Sequence, residues 1–299
     1  MATTPAGNPY IESSDLVANY PATSLALANR LDKYAVNPFT DATARDAAIP
    51  TPVQGQLAQT LDDNKVWRYD GTAWAPFSGA PGGASFTNTP TGTYTDGGID
   101  YKYITFTGTG NFEVDVAGFA DVLVVAGGGY SYAGGAGPYR TAGGAGGVIY
   151  SPNKFLALGT NSVVVGAGGA SYSNGDDSVF IDLYAIGGAH GNSSNSYVTG
   201  FNGGSGSGAS GVGVAVGLGV IGQGHDGGIS ASGIGAGGGA GGAASGATPG
   251  PGLFNSITGA GVTYAVGGSA STPNTANSGN GGGGVANGSS GVVIIRVVV

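Results

Sequence analysis

Glycine dominates this chain, and it is distributed unevenly. All but four of the 64 glycines follow residue 79, the exceptions being Gly7, Gly55, Gly71 and Gly79. A glycine backbone can approach another backbone closely, but it loses more conformational freedom on folding than any other. The chain therefore has a glycine-poor part and a glycine-rich part. We divide the first into an arm with a short helix (1–40) and a small β-hairpin module (41–79), and a linker (80–85) joins it to a glycine-rich domain (86–299).

The tract IGAGGGAGGAASGATPGPG, residues 234–252, shows what the glycine segments can and cannot be. Collagen needs glycine at every third position, and the irregular spacing here excludes it. Disorder is the usual state of Gly/Ser-rich segments, which bury little apolar surface. Ordered, left-handed extended segments with three residues per turn are the alternative, with glycine at the lines of closest backbone contact. Tracts that leave and re-enter one sheet favour the ordered alternative.

Short apolar and alternating segments separate the glycine tracts and predict an antiparallel β-sandwich. The predicted strands are Ile99–Thr107, Phe112–Val116, Ala120–Ala126, Gly147–Tyr150, Asn161–Val165, Val179–Ile186, Val262–Ala265 and Gly291–Val299. The segments Val122–Val125 and Val292–Val299 are apolar on both faces, whereas a sandwich strand with one wet face alternates. A second layer, the glycine tracts or another subunit must cover the second face.

The N-terminal region carries two local patterns. Leu27, Leu31 and Tyr34 recur at helical spacing after Pro21, which predicts a short helix over Pro21–Tyr34. In the second pattern, Lys65–Tyr69 and Thr72–Phe77 flank Asp70-Gly71, which predicts a hairpin with a tight primed turn. Its packing face is expected to contain Trp67, Tyr69, Trp74 and Phe77, and carbohydrate stacking is the alternative use of these rings.

Charge restricts the partners that this chain can have. The net charge is −8 and no Lys/Arg cluster is present, so we expect neither nucleic acid nor an anionic membrane surface as a partner. No apolar tract approaches the roughly 20 residues that span a bilayer. The first residues, MATTPAGNPYIESSD, lack the pattern of a secretory signal. We therefore expect a protein made in the cytoplasm of its producer and not inserted into a membrane.

The glycine tracts carry a set of aromatic and polar residues that suits recognition. Tyr, Ser, Gly and Asn are typical of rigid yet adaptable contact loops, and a nearly uncharged surface suits a neutral glycan. The same tyrosines could instead cap the glycine layers or fill a subunit interface. The receptor-binding candidates are Tyr130, Tyr132, Tyr139, Arg140, Tyr172, His190, Tyr197, Phe201, His225 and Asp226.

Catalysis, by contrast, has little support. Asp176 and Asp177 are adjacent and would point to opposite sides of an extended chain, which suits a solvated turn or a weak calcium loop better than an acid pair. His225 and Asp226 could form an orienting pair, but no nucleophile accompanies them. There is no cysteine and no phosphate-binding lysine after glycine. We expect no enzyme activity, no catalytic or metal site and no cofactor, with a polysaccharide depolymerase as the least favoured alternative.

An ordered set of segments nevertheless resembles a known family. ADVLVVAGGG, GGAGGVIY, VVVGAGG, YAIGGAHG, GQGHDGG, PGPGLFNSITGAGVTYAVGGS and SGVVIIRVVV look like the glycine-rich domain of bacteriophage tail fibres and receptor-binding tail proteins. The segments NPYIESSDLVANYPATSLALANRLD and TARDAAIPTPVQGQLAQTLDDNKVWRYDGTAW are similar to the N-terminal parts of minor tail proteins of actinobacterial phages.

This resemblance implies a protein of the virion tail, mainly β and an intertwined homotrimer. Its N-terminal region would dock onto other tail proteins, and its glycine-rich β-sandwich, with polyglycine-type extended layers, would adsorb to a host surface glycan. A purely structural tail-tip or connector protein is the alternative. The long Val-rich strands depart from fibre-tip adhesins that consist of polyglycine layers, and this puts an identical packing in doubt.

Overall fold

The computed structural model describes residues 36–62, 65–76, 83–134, 136–273 and 275–299. It is mainly β, as predicted, and the chain divides into two compact units with the boundary between Ala80 and Pro81. The helix predicted over Pro21–Tyr34 and the side chain of Phe77 lie outside the described residues.

The N-terminal unit contains a four-stranded sheet and one short helix in its described part. In chain order its elements are β1 (Asn37–Phe39), α1 (Ala42–Ala48), β2 (Leu57–Thr60), β3 (Lys65–Tyr69) and β4 (Trp74–Pro76). The helix was not predicted, although Asp41 caps it: its Oδ1 accepts the Ala44 N–H at 2.8 Å. The predicted hairpin is confirmed by the antiparallel pairing of β3 with β4.

The turn of this hairpin differs from the predicted primed turn. Tyr69 pairs with Trp74, so the loop spans residues 70–73, and of Asp70 and Gly71 only Gly71 has a positive φ, of 111°. Asp70 instead accepts hydrogen bonds from the N–H groups of Ala73 and Thr72, which lower its pKa to about 2. Hydrogen bonds to the side chain of its first residue can stabilise such a loop, so the positive φ angles of a two-residue primed turn are not needed.

Trp67 and Trp74 pack on an arginine. The guanidinium of Arg45, on α1, lies 5.1 Å from the Trp67 ring and 4.8 Å from the Trp74 ring, and the residue is only 5% exposed. Tyr69 meets Trp74 edge-on at 5.6 Å. Trp67, Tyr69 and Trp74 therefore pack together as predicted, and the two tryptophan rings pack on the guanidinium of Arg45.

The C-terminal unit contains the remaining strands of the described chain, many of them only two or three residues long. In chain order they are β5 (Ser85–Phe86), β6 (Gly92–Asp96), β7 (Ile99–Phe106), β8 (Gly110–Val116), β9 (Gly118–Val125), β10 (Ser131–Tyr132), β11 (Tyr139–Thr141), β12 (Val148–Leu156), β13 (Gly159–Val164), β14 (Ser178–Phe180), β15 (Leu183–Ala185), β16 (Ser193–Ser194), β17 (Ala209–Ser210), β18 (Ile229–Ser230), β19 (Gly233–Gly235), β20 (Leu253–Asn255), β21 (Val262–Tyr264), β22 (Val285–Ala286) and β23 (Val292–Val298).

Ten of these strands form the predicted antiparallel sandwich. One five-stranded sheet has the order β12-β9-β23-β7-β6 and the other the order β15-β14-β13-β8-β5. The prediction of one strand over Val179–Ile186 is wrong in one respect. This segment contains parts of two strands, β14 and β15, which pair as a hairpin, and Ile181 at the turn has a φ of 57°. Residues 83–85, in the predicted linker, lie against the sandwich, where Ala84 is 2% exposed.

The two faces of β9 and β23 are both buried, and the chain itself covers both. Val122, Val124 and Ile295 lie in the core between the sheets. On the opposite face, Leu123 and Ile294 belong to a second cluster with Ala145, Ile257, Tyr264 and Ala265 of the glycine-rich region. The apolar second face therefore gives no reason for a further subunit, because glycine-rich segments pack on it.

Those segments are joined by a hydrogen-bond pattern that repeats every three residues. The N–H groups of residues 127–130 donate, in order, to the carbonyls of Asp176, Ser289, Gly144 and Ser173. Those of residues 141, 144 and 147 donate to the carbonyls of Asn192, Ala189 and Ile186. Consecutive donors thus point to different neighbours and every third donor returns to the same one, which is the geometry of extended segments with three residues per turn. The predicted polyglycine-type layers are confirmed.

The tract of residues 234–252 is part of this layer. Its Gly237, Gly238 and Gly250 donate to the carbonyls of Gly268, Gly206 and Gly237 at 2.9, 2.9 and 3.0 Å. Gly235–Gly239 are buried. A Cβ on Gly238 would lie 2.6 Å from the carbonyl oxygen of Asp226, so glycine is needed here for close approach.

Candidate functional site

Several predicted binding residues lie where glycine segments turn back after leaving the strand ends. Tyr130 follows β9 by five residues, and His190 follows β15 by five. The Tyr130 N–H donates to Ser173 O at 3.2 Å, and the Gly191 N–H donates to Tyr130 O at 2.6 Å. Three segments that are remote in sequence therefore meet at this end of the layer.

Tyr130, Tyr132 and Tyr172 form one cluster of rings. Tyr132 and Tyr172 stack with centroids 5.1 Å apart and planes at 23°, and Tyr130 lies 5.4 Å from Tyr172. Tyr130 is 8% exposed whereas Tyr172 is 50% exposed. The buried ring thus supports an outer pair, which presents a flat aromatic surface to solvent.

The turn that carries Tyr172 is unusual because it contains no glycine. Ser171 and Tyr172 have φ values of 46° and 66°, a conformation that costs a non-glycine residue roughly 1–3 kcal/mol. Ser173 closes the turn: its N–H and its hydroxyl both donate to Ala170 O, at 3.1 and 2.7 Å. Backbone strain at an exposed aromatic residue is typical of binding sites, where it fixes the direction of a side chain.

Two of these tyrosines have a raised pKa and are neutral near pH 7. The hydrogen bond with the Tyr132 hydroxyl raises the pKa of Tyr172 to about 12. Burial raises the pKa of Tyr130 above its ordinary value, and Tyr132 adds to this effect. The rings therefore act as neutral stacking surfaces with hydroxyl groups at their edges.

His190 and Phe201 form a second stack beside the first. Their ring centroids are 4.3 Å apart with planes at 21°, and Phe201 is 38% exposed. Asn174 Oδ1 contacts both the backbone N–H of His190, at 2.9 Å, and its Nδ1, at 2.7 Å. Because an amide oxygen only accepts, Nδ1 carries the proton and Nε2 is left as an acceptor. Burial lowers the pKa of His190, which favours the neutral ring.

Tyr139 and Tyr197 form a third pair, edge to face at 4.8 Å. Strand β11 brings Tyr139 and Arg140 alongside Ser194 and Ser193 of β16. Tyr197 is 52% exposed and lies over Gly211, where an added Cβ would be 2.5 Å from its ring. Arg140 is half-buried in this arrangement.

His225 and Asp226 do not join these aromatic groups. Asp226 Oδ1 accepts the Gly219 N–H at 2.9 Å, and His225 N–H donates to Gly239 O at 3.2 Å. Asp226 therefore fixes the local backbone, and no hydrogen bond joins it to His225 among the described residues. The proposed orienting pair does not form.

Asp177, which was considered for catalysis, and the nearby Asp182 have local structural partners. Asp177 Oδ1 accepts the Gly187 N–H at 2.7 Å, and Asp182 binds Lys154 through an exposed ion pair. Within the described ranges, no group of three or more His, Cys, Asp or Glu residues could hold a metal ion.

Two residues at the aromatic groups escaped prediction. Asn174 bridges the tyrosine turn to His190, and Ser171 shares the strained turn with Tyr172. The dipeptide Ser171-Tyr172 has no glycine, asparagine or aspartate that would indicate positive φ, so local sequence gave no signal for this turn.

Comparison with known protein families decides how the C-terminal unit is classified. The glycine-rich domain family matches residues 104–298, which is most of this chain. The chain belongs to the glycine-rich domain family. The glycine-rich domain therefore includes both the sandwich strands from β7 onward and the three-residue layers that carry the aromatic groups. The search of curated proteins found no match. In the part of the chain that the structure describes, no helix is long and apolar enough to cross a membrane.

Proposed function

We propose that this chain is a receptor-binding component of a bacteriophage tail fibre or spike, and that its glycine-rich domain adsorbs to a neutral glycan of the host envelope. The observation that carries the proposal is the Tyr132–Tyr172 stack, whose outer ring, Tyr172, is exposed and lies in a strained turn. A surface that is already rigid loses little entropy when it binds.

The chemistry of the surface favours a sugar over other ligands. The exposed faces of Tyr172 and Phe201 can stack on the CH faces of pyranose rings. The neighbouring Nε2 of His190 can accept a hydrogen bond from a sugar hydroxyl. Between Ile186 and Gly291 the only charged side chain is Asp226, so this part of the glycine-rich domain offers an ionic ligand little charge.

The resemblance to phage tail proteins supplies the rest of the proposal. The N-terminal region would attach to other tail proteins in the virion, and the protein would act as a homotrimer. Neither role needs a cofactor or an enzyme activity.

Binding of the full chain to isolated envelope polysaccharide of host bacteria tests the glycan part. Tyr172→Ala removes the outer ring of the stack and is expected to weaken binding at least tenfold, because stacked aromatic residues are frequent hot spots. Tyr184→Ala is the matched control: Tyr184 is 56% exposed, lies on the edge strand β15 and makes no ring contact with a described residue. It should bind like the unaltered chain.

Equal binding by the Tyr172→Ala and Tyr184→Ala variants would contradict the role of the aromatic stack. If the chain neither binds host cells nor competes with phage adsorption, the receptor-binding function itself is refuted. Release of sugars from the polysaccharide would instead establish a depolymerase.

A structural connector is the second candidate, and a specific surface favours it. Val212, Leu218 and Ile221, in the segment between β17 and β18, are 66, 54 and 99% exposed. Exposed apolar residues in such number often mark contacts with other proteins. Unchanged host range in phages that carry Tyr172→Ala would favour this function over adsorption.

A further inference from the structure

A groove on the sandwich has features of a ligand site and lies outside the aromatic groups described above. Its volume is about 330 Å³, near the lower limit for small-molecule sites, and it lies where β7 meets the segments around β21 and residues 275–280. Val292 and Ile294 of β23 form part of its lining. A groove of this size suits one or two sugar rings and is too small for a longer chain.

Most residues that line this groove carry a hydroxyl group on an otherwise apolar side chain. Six of the residues are threonines, namely Thr91, Thr105, Thr107, Thr258, Thr263 and Thr275. Thr91 Oγ1 accepts the Thr105 N–H at 2.9 Å and so ties the start of β6 to β7. The hydroxyls of Thr105, Thr107 and Thr263 form no hydrogen bond with any described residue, and they are therefore available to a ligand.

Two tyrosines contribute aromatic area and further hydroxyls. Tyr103 pairs across the sheet with Gly92, and a Cβ on Gly92 would lie 2.6 Å from the Tyr103 hydroxyl oxygen. The absence of a side chain at Gly92 thus lets the Tyr103 ring lie over β6. Tyr264 also lines the groove and is 6% exposed, so its ring is held by packing.

The segment that closes the groove is held by its amide side chains. Asn280 Oδ1 accepts the Val266 N–H at 2.9 Å, and Asn277 Oδ1 accepts the Ser290 hydroxyl at 3.0 Å. No charged side chain is found in the lining. The groove is consequently a neutral, largely apolar surface of aliphatic side chains and two aromatic rings, with hydroxyl and amide groups among them.

We propose that this groove binds one unit of a neutral carbohydrate, as a site separate from the Tyr132–Tyr172 stack. Hydroxyl and amide groups can both donate to and accept from sugar hydroxyls, and Tyr103 and Tyr264 form an apolar wall with Val292 and Ile294. A ligand with a net charge would leave its solvation shell without a counter-charge in the groove, which disfavours binding. The site does not depend on the proposed phage function.

The test is a titration of the isotope-labelled full chain with neutral monosaccharides, namely glucose, galactose, mannose and N-acetylglucosamine, followed by amide NMR shifts. Small sites bind single sugars weakly, with dissociation constants on the order of 1 mM or above. We expect at least one sugar to shift the amides of Tyr103, Thr105 and Thr263. Sulfated glucose, as a charged comparison, should not shift them.

Two variants show whether the shifts report the groove. The Thr105→Val and Thr263→Val substitutions keep the side-chain shape and remove a hydroxyl, and together they should weaken sugar binding at least fivefold. Thr93→Val is the control, because Thr93 is exposed on the neighbouring strand β6 and does not line the groove. Spectra that match the unaltered chain elsewhere establish that each variant is folded.

The proposal is overturned if no sugar shifts the groove amides, or if the shifts persist unchanged in the double valine variant. Tyr172→Ala separates this site from the proposed receptor surface. In the Tyr172→Ala variant, weakened polysaccharide binding with retained groove shifts would support both proposals. If the unaltered chain shows no groove shifts but Tyr172→Ala weakens its polysaccharide binding, only the groove is refuted. Full polysaccharide binding by Tyr172→Ala with retained groove shifts would refute only the aromatic stack.

Discussion

The substitution Gly144→Ala tests whether glycine serves close packing or flexibility. A Cβ on Gly144 would lie 2.6 Å from the carbonyl carbon of Ser205 and 2.7 Å from the carbonyl oxygen of Gly206, and closer still to the Ser205 oxygen. Carbon and oxygen atoms in ordinary contact are about 3.5 Å apart, so neighbouring backbones must move by about 1.5 Å. A methyl group in a flexible tether would meet no such obstacle.

The energetic consequence follows from the hydrogen bonds that this movement disrupts. Gly144 N–H donates to Ala189 O at 2.7 Å, and the Ser205 N–H donates to Ala145 O at 3.0 Å. A buried polar group that is left unsatisfied costs about 1–3 kcal/mol, so the loss of two such bonds predicts a destabilisation of about 2–6 kcal/mol. That is a large part of the total stability of a typical domain, about 5–15 kcal/mol.

Urea denaturation followed by circular dichroism measures this change. Gly108→Ala is the matched control, because an added Cβ at Gly108 has no atom within 4 Å and its φ is not positive. It should change stability by less than about 0.5 kcal/mol. Amide exchange adds a local measure, and residues 234–252 should be protected in the unaltered chain. Equal midpoints for the two variants, or exchange of 234–252 at random-coil rates, would refute close packing.

Two further predictions concern charged and titrating groups. Tyr132→Phe removes the hydrogen bond that raises the pKa of Tyr172 to about 12, so phenolate absorbance should show Tyr172 ionising nearer pH 10. In the unaltered chain the pKa of Tyr172 is higher in the folded state than in the unfolded state. This hydrogen bond therefore stabilises the fold below about pH 10, and that stabilisation is lost as the pH rises through about 12. An unchanged titration would contradict this. Asp121→Asn breaks the half-buried ion pair with Arg296. Burial alone would lower the pKa of Arg296, but hydrogen bonds to Asp121 and Tyr94 raise it. Thermal unfolding should show that the free energy of unfolding falls by about 3 kcal/mol in this variant. Asp182→Asn, in the exposed pair with Lys154, should cost less than about 1 kcal/mol, and equal losses in the two variants would refute the distinction.

Much of the sandwich could be predicted because its signal is local. The alternation in Ile99–Thr107 and the apolar runs of Val122–Val125 and Val292–Val299 reflect which side chains face the two cores, and the strands β7, β9 and β23 lie there. The division between a glycine-poor and a glycine-rich part likewise follows from composition. Irregular glycine spacing excluded collagen and left ordered extended layers as one of two alternatives.

The candidate site was predicted less completely. Tyr130, Tyr132 and Tyr172 were selected as receptor-binding candidates, which stays a prediction. Their mutual stacking could not be foreseen, because it depends on a turn without glycine. The groove lined by Thr105 and Thr263 combines a sandwich strand with segments more than 150 residues away, and each threonine alone resembles any exposed strand residue.

The sequence by itself determined the division into a glycine-poor and a glycine-rich part, the positions of the main strands, and the need to cover both faces of β9 and β23. Only the tertiary structure decided what covers the second face and which aromatic residues meet. The physical reason is that the alternation of side chains can be read from neighbouring residues, whereas the hydrogen bonds of the glycine segments join residues far apart in sequence. The Gly128 N–H, for example, donates to Ser289 O, 161 positions away. In a glycine layer the partners are backbone groups, which are the same at every position, so the choice among them is made by the packing of the whole unit.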